Sequence, residues 1–297
     1  MFLSVVNLFK VVLCLKCLLS SFWVGAVQLY VDDEKDFTIY QGLNPTTNIA
    51  NSTNILIINA LPLGKVSLVP ASYRRAVKAM RDSNHAVCVP NRVKTKERLQ
   101  EFLFSYPVSM YLTRRLYQHA SEPPLTPQVL NDDAEIKSLS ALFTYYKYAT
   151  IVFTPTMSYG PFFDAQFAQV SASNKVYRAG SNPYDDMYNM FKSKRADFLL
   201  GYPAEVYRHS QHEPVAYRAY SVEDAPRYIV GYWMCNNTEQ SKEFLSMFNK
   251  LMMEIYHKSE FYDAHLKWLP EQDKKLTLGY LEEIVRLLTS DETPATQ

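Results

Sequence analysis

The sequence is poor in several features that would assign it to large protein classes. Glycine occurs only 8 times in 297 residues, which excludes a collagen-like or glycine-rich low-complexity chain. The 31 basic and 30 acidic residues nearly balance and form no basic stripe, so nothing suggests nucleic-acid binding. No stretch beyond residue 30 is long and apolar enough to span a membrane. The chain is 47% hydrophobic and is long enough to bury a sizeable core, as one domain or two lobes.

Cysteine is also scarce, with 4 in the whole chain, of which Cys14 and Cys17 lie near the N-terminus. The other two, Cys88 and Cys235, lie in apolar, strand-like runs. In an exported protein two cysteines most simply form one disulfide, although free buried cysteines occupy similar runs. Their separation gives no metal-ligand spacing, so we expect a disulfide and no metal.

The first 26 residues have the pattern of a secretory signal peptide. Residues 1–16 contain two lysines and no acid, residues 17–24 are largely apolar, and Val24-Gly25-Ala26 supplies the small residues that signal peptidase needs. Lys16 leaves too short an uncharged run for an uncleaved membrane anchor. We predict cleavage after Ala26 and a periplasmic location. Losing two lysines lowers the formal charge from +1 to −1.

The first half of the mature chain is typical of an open parallel sheet. Strands are predicted at residues 28–31, 66–70 and 85–90, from short apolar runs between polar segments. A helix is predicted after the first strand, from residue 51. A second helix starts at Ser72 and has apolar residues at i, i+3, i+4 and i+7. This β-α-β-α-β order predicts an α/β fold.

The second half is also predicted to alternate strands and helices, after a proline-rich segment at residues 121–127. Strands are predicted at residues 149–153 and 196–201. A strand at residues 228–235 leads back to the first half, and a long amphipathic helix follows at residues 239–257. The predicted division is residues 27–120 with 226–297 for lobe I, and residues 121–225 for lobe II.

The loop after the third predicted strand contains the most informative residue, Arg98. It lies just beyond a buried strand end, where open α/β sheets collect ligands. Its guanidinium group could hold a carboxylate through two parallel hydrogen bonds. The loop alone leaves open a simpler explanation, a surface arginine paired with Glu97 or Glu101.

Four motifs occur in a consistent order along the mature chain. They are the aromatic-led helix start Ser72-Tyr73, the TKER segment ending at Arg98 with Phe104-Ser105 six and seven residues later, Ala196-Asp197, and Lys267-Trp268-Leu269. Their order and spacing resemble the extracellular solute-binding proteins of family 3, the polar amino acid type, as a divergent subgroup. The resemblance implies a type II periplasmic-binding-protein fold, in which two open, mostly parallel sheets flanked by helices are joined by a two-strand hinge.

The resemblance also implies a ligand site between the lobes. Arg98 would hold the α-carboxylate of the ligand, while Tyr73 and Phe37 would stack on its body. Donors of Thr156, Ser158 and Tyr159, at a helix N-terminus, would complete the anion site. From the residues alone, Tyr73 could equally be a core residue and Ser158 an ordinary helix cap.

Two positions depart from the pattern of the family. Asn91 stands where a threonine or serine is usual, and Tyr202 stands where an acid would bind the ligand's amino group. Asp32 or Asp33 is the available substitute from lobe I. Otherwise the ligand is a carboxylate without an amino group, an aromatic compound, or absent.

The implied function is capture of a small, amino-acid-like carboxylate for an inner-membrane permease of an ABC transporter, or for a membrane sensor. We expect a monomer without cofactor or nucleic-acid partner. The alternative is an interaction or sensor protein whose cleft has degenerated. An enzyme is not favoured, because the six histidines form no metal or nucleophile constellation.

Overall fold

The computed structural model describes residues 26–155, 158–178, 183–212 and 214–289. The predicted signal peptide before Ala26 and the candidate ligand residue Thr156 lie outside the described residues. The strands, numbered along the chain, are β1 (Val27–Val31), β2 (Val66–Pro70), β3 (Val87–Arg92), β4 (Leu103–Phe104), β5 (Ser109–Leu112), β6 (Arg115–His119), β7 (Ile151–Phe153), β8 (Lys175–Tyr177), β9 (Phe198–Gly201), β10 (Tyr217–Tyr220) and β11 (Tyr228–Cys235).

Helices cover the faces of the strands and connect most of them. The helices are α1 (Glu34–Tyr40), α2 (Ile49–Ala60), α3 (Tyr73–Asp82), α4 (Lys96–Leu99), α5 (Leu139–Tyr145), α6 (Pro161–Ala168), α7 (Pro183–Lys192), α8 (Pro203–His212), α9 (Glu239–Ile255), α10 (Ser259–Leu266) and α11 (Glu271–Thr289). A 3₁₀ turn, Ala172–Asn174, precedes β8. None of the described helices combines the length and apolar character needed to cross a bilayer.

The first sheet has the order β2-β1-β3-β11-β4, with β5 also paired to β11. Strands β1, β2 and β3 are parallel, as the alternation of strands and helices predicts, while β11 runs antiparallel to them. Its core includes Trp233, which is fully buried and packs against Phe248 with ring centroids 4.7 Å apart. The indole Nε1 donates to Asn54 Oδ1 at 2.5 Å, so the one polar atom of this side chain is satisfied.

The second sheet has the order β10-β6-β9-β7-β8. Strands β7, β8 and β9 are parallel, and β6 runs antiparallel to β9. A separate apolar core surrounds this sheet, including Leu116, Ile151 and Phe198. The molecule therefore has two bodies, each a mixed sheet flanked by helices, which confirms the predicted fold class.

Two neighbouring segments connect the bodies. Residues 113–114 link β5 to β6, and residues 221–227 link β10 to β11. The Thr113 backbone N–H donates to the Arg227 carbonyl at 3.3 Å, so the two segments run side by side. An ion pair between Arg115 on β6 and Asp273 on α11, at 2.9 Å, adds a contact between the lobes.

The disulfide predicted between Cys88 and Cys235 is confirmed. Cys88 on β3 and Cys235 on β11 are register partners in adjacent strands of the first sheet, and their sulfurs are bonded. Both residues are fully buried among apolar side chains. The link joins positions 147 residues apart, so it ties the returning strand β11 to the N-terminal part of the fold.

Two local features were not predicted from the sequence. Helix α1 follows β1 closely, because the Asp33 side chain accepts from the N–H groups of Lys35 and Asp36 and so starts the helix. Strands β5 and β6 are separated by two residues only, and β6 pairs in the second sheet. The first crossing between the bodies therefore lies at residues 113–114.

Candidate ligand-binding cleft

The carboxyl ends of β1, β2 and β3 meet at one edge of the first sheet, where open α/β sheets form ligand sites. Asp32 follows β1, Tyr73 lies shortly after β2, and Arg92 ends β3. Arg92 Nη2 lies 2.6 Å from Asp32 Oδ1, and the Arg92 guanidinium lies 4.5 Å from the centre of the Tyr73 ring. Charged and aromatic side chains are thus grouped at the edge where the sequence predicts a site.

Arg98 belongs to the same group but, unlike Arg92, donates its hydrogen bonds to neutral groups. It lies on the short helix α4, and its Nη1 donates to the Val93 carbonyl at 2.8 Å while Nη2 donates to the Tyr73 hydroxyl at 3.1 Å. Both acceptors are neutral, so neither cancels the charge. Glu101, a candidate surface partner, instead binds Arg81. Glu97, the other candidate, accepts from the Thr95 side chain, which together with the charges of Lys96 and Arg98 lowers its pKa. Arg98 makes no direct ion pair with a carboxylate of the described residues.

Asn91 occupies a constrained position next to this group. Its backbone has a φ of 55°, in the left-handed region that asparagine tolerates better than most residues. The side-chain Oδ1 accepts from Tyr111 Oη at 3.0 Å and from Ser109 Oγ at 3.3 Å. Gly231 makes room for this contact, because a Cβ there would lie 2.4 Å from Asn91 Oδ1. The Asn91 amide nitrogen donates to none of the described residues and remains available.

On the other side of the cleft lies Arg114, a residue that sequence reasoning missed. It belongs to the first crossing segment and is 2% exposed. Its Nη1 donates to the Tyr159 carbonyl, and its Nη2 lies 3.5 Å from the Ser158 carbonyl. Its guanidinium lies 4.1 Å from the centre of the Tyr202 ring. The only sequence signal was an arginine pair, Arg114 and Arg115, within an otherwise apolar run.

Tyr202 follows β9 and lies between aromatic residues of both lobes. Its ring centre lies 6.1 Å from that of Tyr111 and 6.4 Å from that of Tyr184. Burial raises the pKa of Tyr202 to about 12, so its hydroxyl stays neutral near pH 7 and cannot replace an acid. Glu205, in the first turn of α8, is a nearby carboxylate, and it is paired with Arg208 at 2.9 Å.

Asp36, on α1 of lobe I, is a half-buried acid. Burial raises the pKa of Asp36 to about 6, and the negative charges of Asp33 and Asp32 raise it further, although a hydrogen bond from Asn51 opposes the shift. Asn51 Nδ2 donates to Asp36 Oδ1 at 3.0 Å. The charge of Glu205, on α8, makes a smaller contribution in the same direction.

The structure places two lobe I candidates in structural contacts. Asp33 is the N-cap of α1, with its Oδ1 accepting from Lys35 N at 2.8 Å and Asp36 N at 3.0 Å. Phe37 packs against the apolar cluster of Val31, Ile39 and Tyr40. The observed contacts of both side chains are therefore local.

The lobe II candidates lie in the loop before α6. The N-cap of that helix is Gly160, and Ser158 Oγ donates to Asp164 at 2.6 Å instead of capping. The Tyr159 ring is 1% exposed, and its hydroxyl accepts from Thr154 N at 3.0 Å. This loop therefore contributes backbone carbonyls, not hydroxyl donors, to the side of Arg114.

No protein-family model and no curated protein sequence matches the chain. Solved structures do match. The "probable amino-acid ABC transporter extracellular-binding protein" of Bacillus subtilis is 18% identical, with a TM-score of 0.56 over 83% of this chain and 98% of that one. EhuB in complex with hydroxyectoine is 14% identical, with a TM-score of 0.56 over 88% and 94%.

A histidine kinase sensor domain similar to periplasmic binding proteins is 11% identical, with a TM-score of 0.54 over 82% of this chain and 96% of that one. These neighbours are binding proteins and sensor domains, not enzymes. At such low identities the likeness shows the fold alone. The chain therefore has the type II periplasmic-binding-protein fold, in line with the expected resemblance to solute-binding proteins of family 3.

Proposed function

We propose that this chain is an exported solute-binding protein that captures a small carboxylate-bearing molecule between its lobes. The observation that supports this most directly is that Arg98 donates only to neutral acceptors. Its guanidinium lies at the carboxyl ends of parallel strands and is held only by the neutral acceptors Val93 O and Tyr73 Oη. Such an arrangement orients a cation without neutralising it, which suits recognition of a carboxylate.

Capture would proceed by closure of the lobes about the two crossing segments. A ligand carboxylate would bind Arg98, its body would lie against the Tyr73 ring, and the free amide nitrogen of Asn91 would donate to it. Hydrogen bonds to a charged partner contribute roughly 1.5–3 kcal/mol each, so Arg98 alone would account for about a tenfold to hundredfold gain in affinity.

A membrane protein would receive the loaded form. Structures with this fold include both an amino-acid ABC transporter binding protein and a histidine kinase sensor domain, which supports a permease or a sensor as partner. Export through cleavage after Ala26 belongs to the same proposal. So does the division into two lobes, with its first boundary at the crossing segment of residues 113–114 instead of residue 120, because β6 pairs in the second sheet.

Thermal unfolding with added ligands tests the proposal. The mature protein is screened against amino acids, mono- and dicarboxylates and aromatic acids, and a ligand at 100 times its Kd should stabilise it by about 2.7 kcal/mol. Arg98→Gln should lower this stabilisation to about 0.4–1.4 kcal/mol, because a tenfold to hundredfold loss of affinity leaves the same ligand concentration at only about 10 times to once its Kd. The matched control is Arg81→Gln, an exposed lobe I arginine whose partner is Glu101, and it should keep the shift.

The two functional interpretations predict different results. A shift that Arg98→Gln leaves unchanged would contradict the assigned role of Arg98. No shift with any compound would favour an interaction protein with a degenerate cleft and would contradict ligand capture.

A further inference from the structure

The C-terminal helix α11 contacts both lobes of the molecule. Its buried residues include Asp273, Thr277, Leu281 and Ile284, whose spacing of three or four places them on one face of the helix. Leu281 and Ile284 belong to the apolar core around the first sheet. The other end of this face is polar, and Asp273 there binds a residue of the second sheet. One helix is therefore fixed in lobe I and reaches lobe II.

The contact with lobe II is a two-point ion pair between Asp273 and Arg115, the first residue of β6. Arg115 Nη1 donates to Asp273 Oδ2 at 2.9 Å, and Arg115 Nη2 lies 2.9 Å from Asp273 Oδ1. The side chains of Arg115 and Asp273 are only 19% and 6% exposed, so water and salt screen the pair weakly. Two parallel hydrogen bonds and low exposure make such a pair stronger, and more demanding in geometry, than an ordinary surface ion pair.

This ion pair lies next to the segments about which the lobes would turn. Arg115 directly follows the crossing at residues 113–114, whereas Asp273 is held on α11 of lobe I. Opening or closing of the lobes therefore rotates the guanidinium group relative to the carboxylate. Because two parallel hydrogen bonds need both groups nearly in one plane, rotation away from the observed arrangement should weaken or break at least one of them.

In the observed arrangement the two lobes also touch at other places. Ala204, in the first turn of α8, belongs to one apolar cluster with Ile49 and Leu112 of lobe I. Tyr202 approaches Tyr111 with ring centres 6.1 Å apart. The ion pair is thus formed in an arrangement in which the two sides of the cleft are together.

We infer that Arg115 and Asp273 are positioning residues for ligand capture, because their ion pair stabilises the closed arrangement of the lobes without touching the ligand. The effect on ligand affinity rests on the proposed function. A ligand held between the lobes binds their closed arrangement, so its apparent affinity rises with the fraction of molecules that are closed. Loss of the ion pair should therefore weaken all ligands by one common factor, whereas loss of Arg98 should weaken carboxylates selectively.

Small-angle X-ray scattering of the mature protein without added ligand tests the closing effect directly. Asp273→Asn keeps the shape of the side chain and removes its charge, so it should favour the open arrangement and increase the radius of gyration. Arg115→Gln should do the same, and the double variant should open no further than either single variant. Glu271→Gln is the matched control. This first-turn acid of α11 is 87% exposed and pairs with Lys274 on the same helix, so its loss should leave the radius unchanged.

Isothermal titration calorimetry then measures the effect on capture, with glutamate, glutarate and benzoate as probes. Asp273→Asn should weaken each probe that binds by the same factor, about fivefold to a hundredfold, since energetic coupling between separate sites is commonly of this size. Glu271→Gln should change none of these affinities. Urea unfolding of the same variants shows whether the ion pair acts on lobe closure or only on stability.

The outcomes separate this inference from the proposed function. Lower stability of Asp273→Asn with an unchanged radius and unchanged affinities would show that the ion pair only supports the fold, and would overturn the inference. Weaker binding of some probes but not of others would overturn it as well, because closure acts on all of them. If no compound of the thermal-unfolding screen binds, the proposed function fails. The radius of Asp273→Asn then still decides whether the ion pair holds the lobes together.

Discussion

The buried His265 should make the stability of the folded protein depend on pH. His265 is fully buried in α10, and its Nε2 accepts from the Met110 backbone N–H at 3.1 Å. Nε2 therefore carries no proton, and the proton lies on Nδ1, which donates to the Phe261 carbonyl at 2.8 Å. A second proton would face the Met110 donor and a dry environment. Burial accordingly lowers the pKa of His265 from 6.5 to about 4.

Stability changes with pH because the folded and unfolded states bind this proton with different affinities. Below pH 6.5 the histidine of the unfolded chain is protonated, whereas the folded one stays neutral until about pH 4. The stability that His265 contributes is therefore fully present above pH 6.5 and is lost as the pH falls towards 4. The shift corresponds to about 3 kcal/mol.

Asp36 has the opposite effect, because its contribution to stability increases as the pH falls. Burial raises its pKa from 3.8 to about 6, so the folded carboxyl group takes up a proton before the unfolded one does. The folded state therefore gains about 3 kcal/mol from Asp36 as the pH falls from 6 to about 4. The two residues have nearly equal and opposite effects, so their combined contribution changes little over this range.

Urea unfolding between pH 7.5 and 4.5 separates the two effects. Relative to the unmodified protein, His265→Gln should become progressively more stable as the pH falls, by up to about 3 kcal/mol, and Asp36→Asn progressively less stable, by up to about 2 kcal/mol at the lowest pH. His257→Gln, at an exposed position, should run parallel to the unmodified protein. Differences that do not change with pH in the first two variants would refute the reasoning.

Two further predictions concern the first sheet. Gly231→Ala should lower stability by about 1–3 kcal/mol in urea unfolding, because the new Cβ would lie 2.4 Å from both Asn91 Oδ1 and Ser109 Oγ, and an unchanged midpoint would contradict the crowding. Replacing Cys88 and Cys235 with alanine should lower stability by about 2–5 kcal/mol, because the bond closes a long loop, and reduction of the unmodified protein should match this loss.

The fold could be predicted because its main signals are local. Short apolar strands between amphipathic helices identify a parallel sheet, and the boundaries of β2 and β11 agree with those predicted at residues 66–70 and 228–235. The cysteine pair followed from the small number of cysteines in a chain with a predicted signal peptide. The position of Arg98 followed from a strand end and a short motif. Each of these inferences needs only a few neighbouring residues.

The environment of Arg114 could not be predicted in this way. Its contacts are with Tyr159 and Tyr202, which lie 45 and 88 positions further along the chain and reach it only when lobe II has formed. Likewise, the sequence shows acids near both lobes but not that Asp32 and Glu205 are already paired. Residue types predict which charges are present, whereas tertiary contacts decide which of them remain unpaired.

That distinction bears on how the ligand is selected. A cleft attracts the charge that its own groups leave uncompensated, since engaged groups must first lose their partners. An acid in place of Tyr202 would lie beside the Arg114 guanidinium, now 4.1 Å from the tyrosine ring, and would pair with it. Tyr202 instead covers that cation without neutralising it. The resemblance to family 3 implies an acid at the position of Tyr202. With a tyrosine there, the charge of Arg114 has no such partner, which agrees with the carboxylate-bearing ligand that we propose.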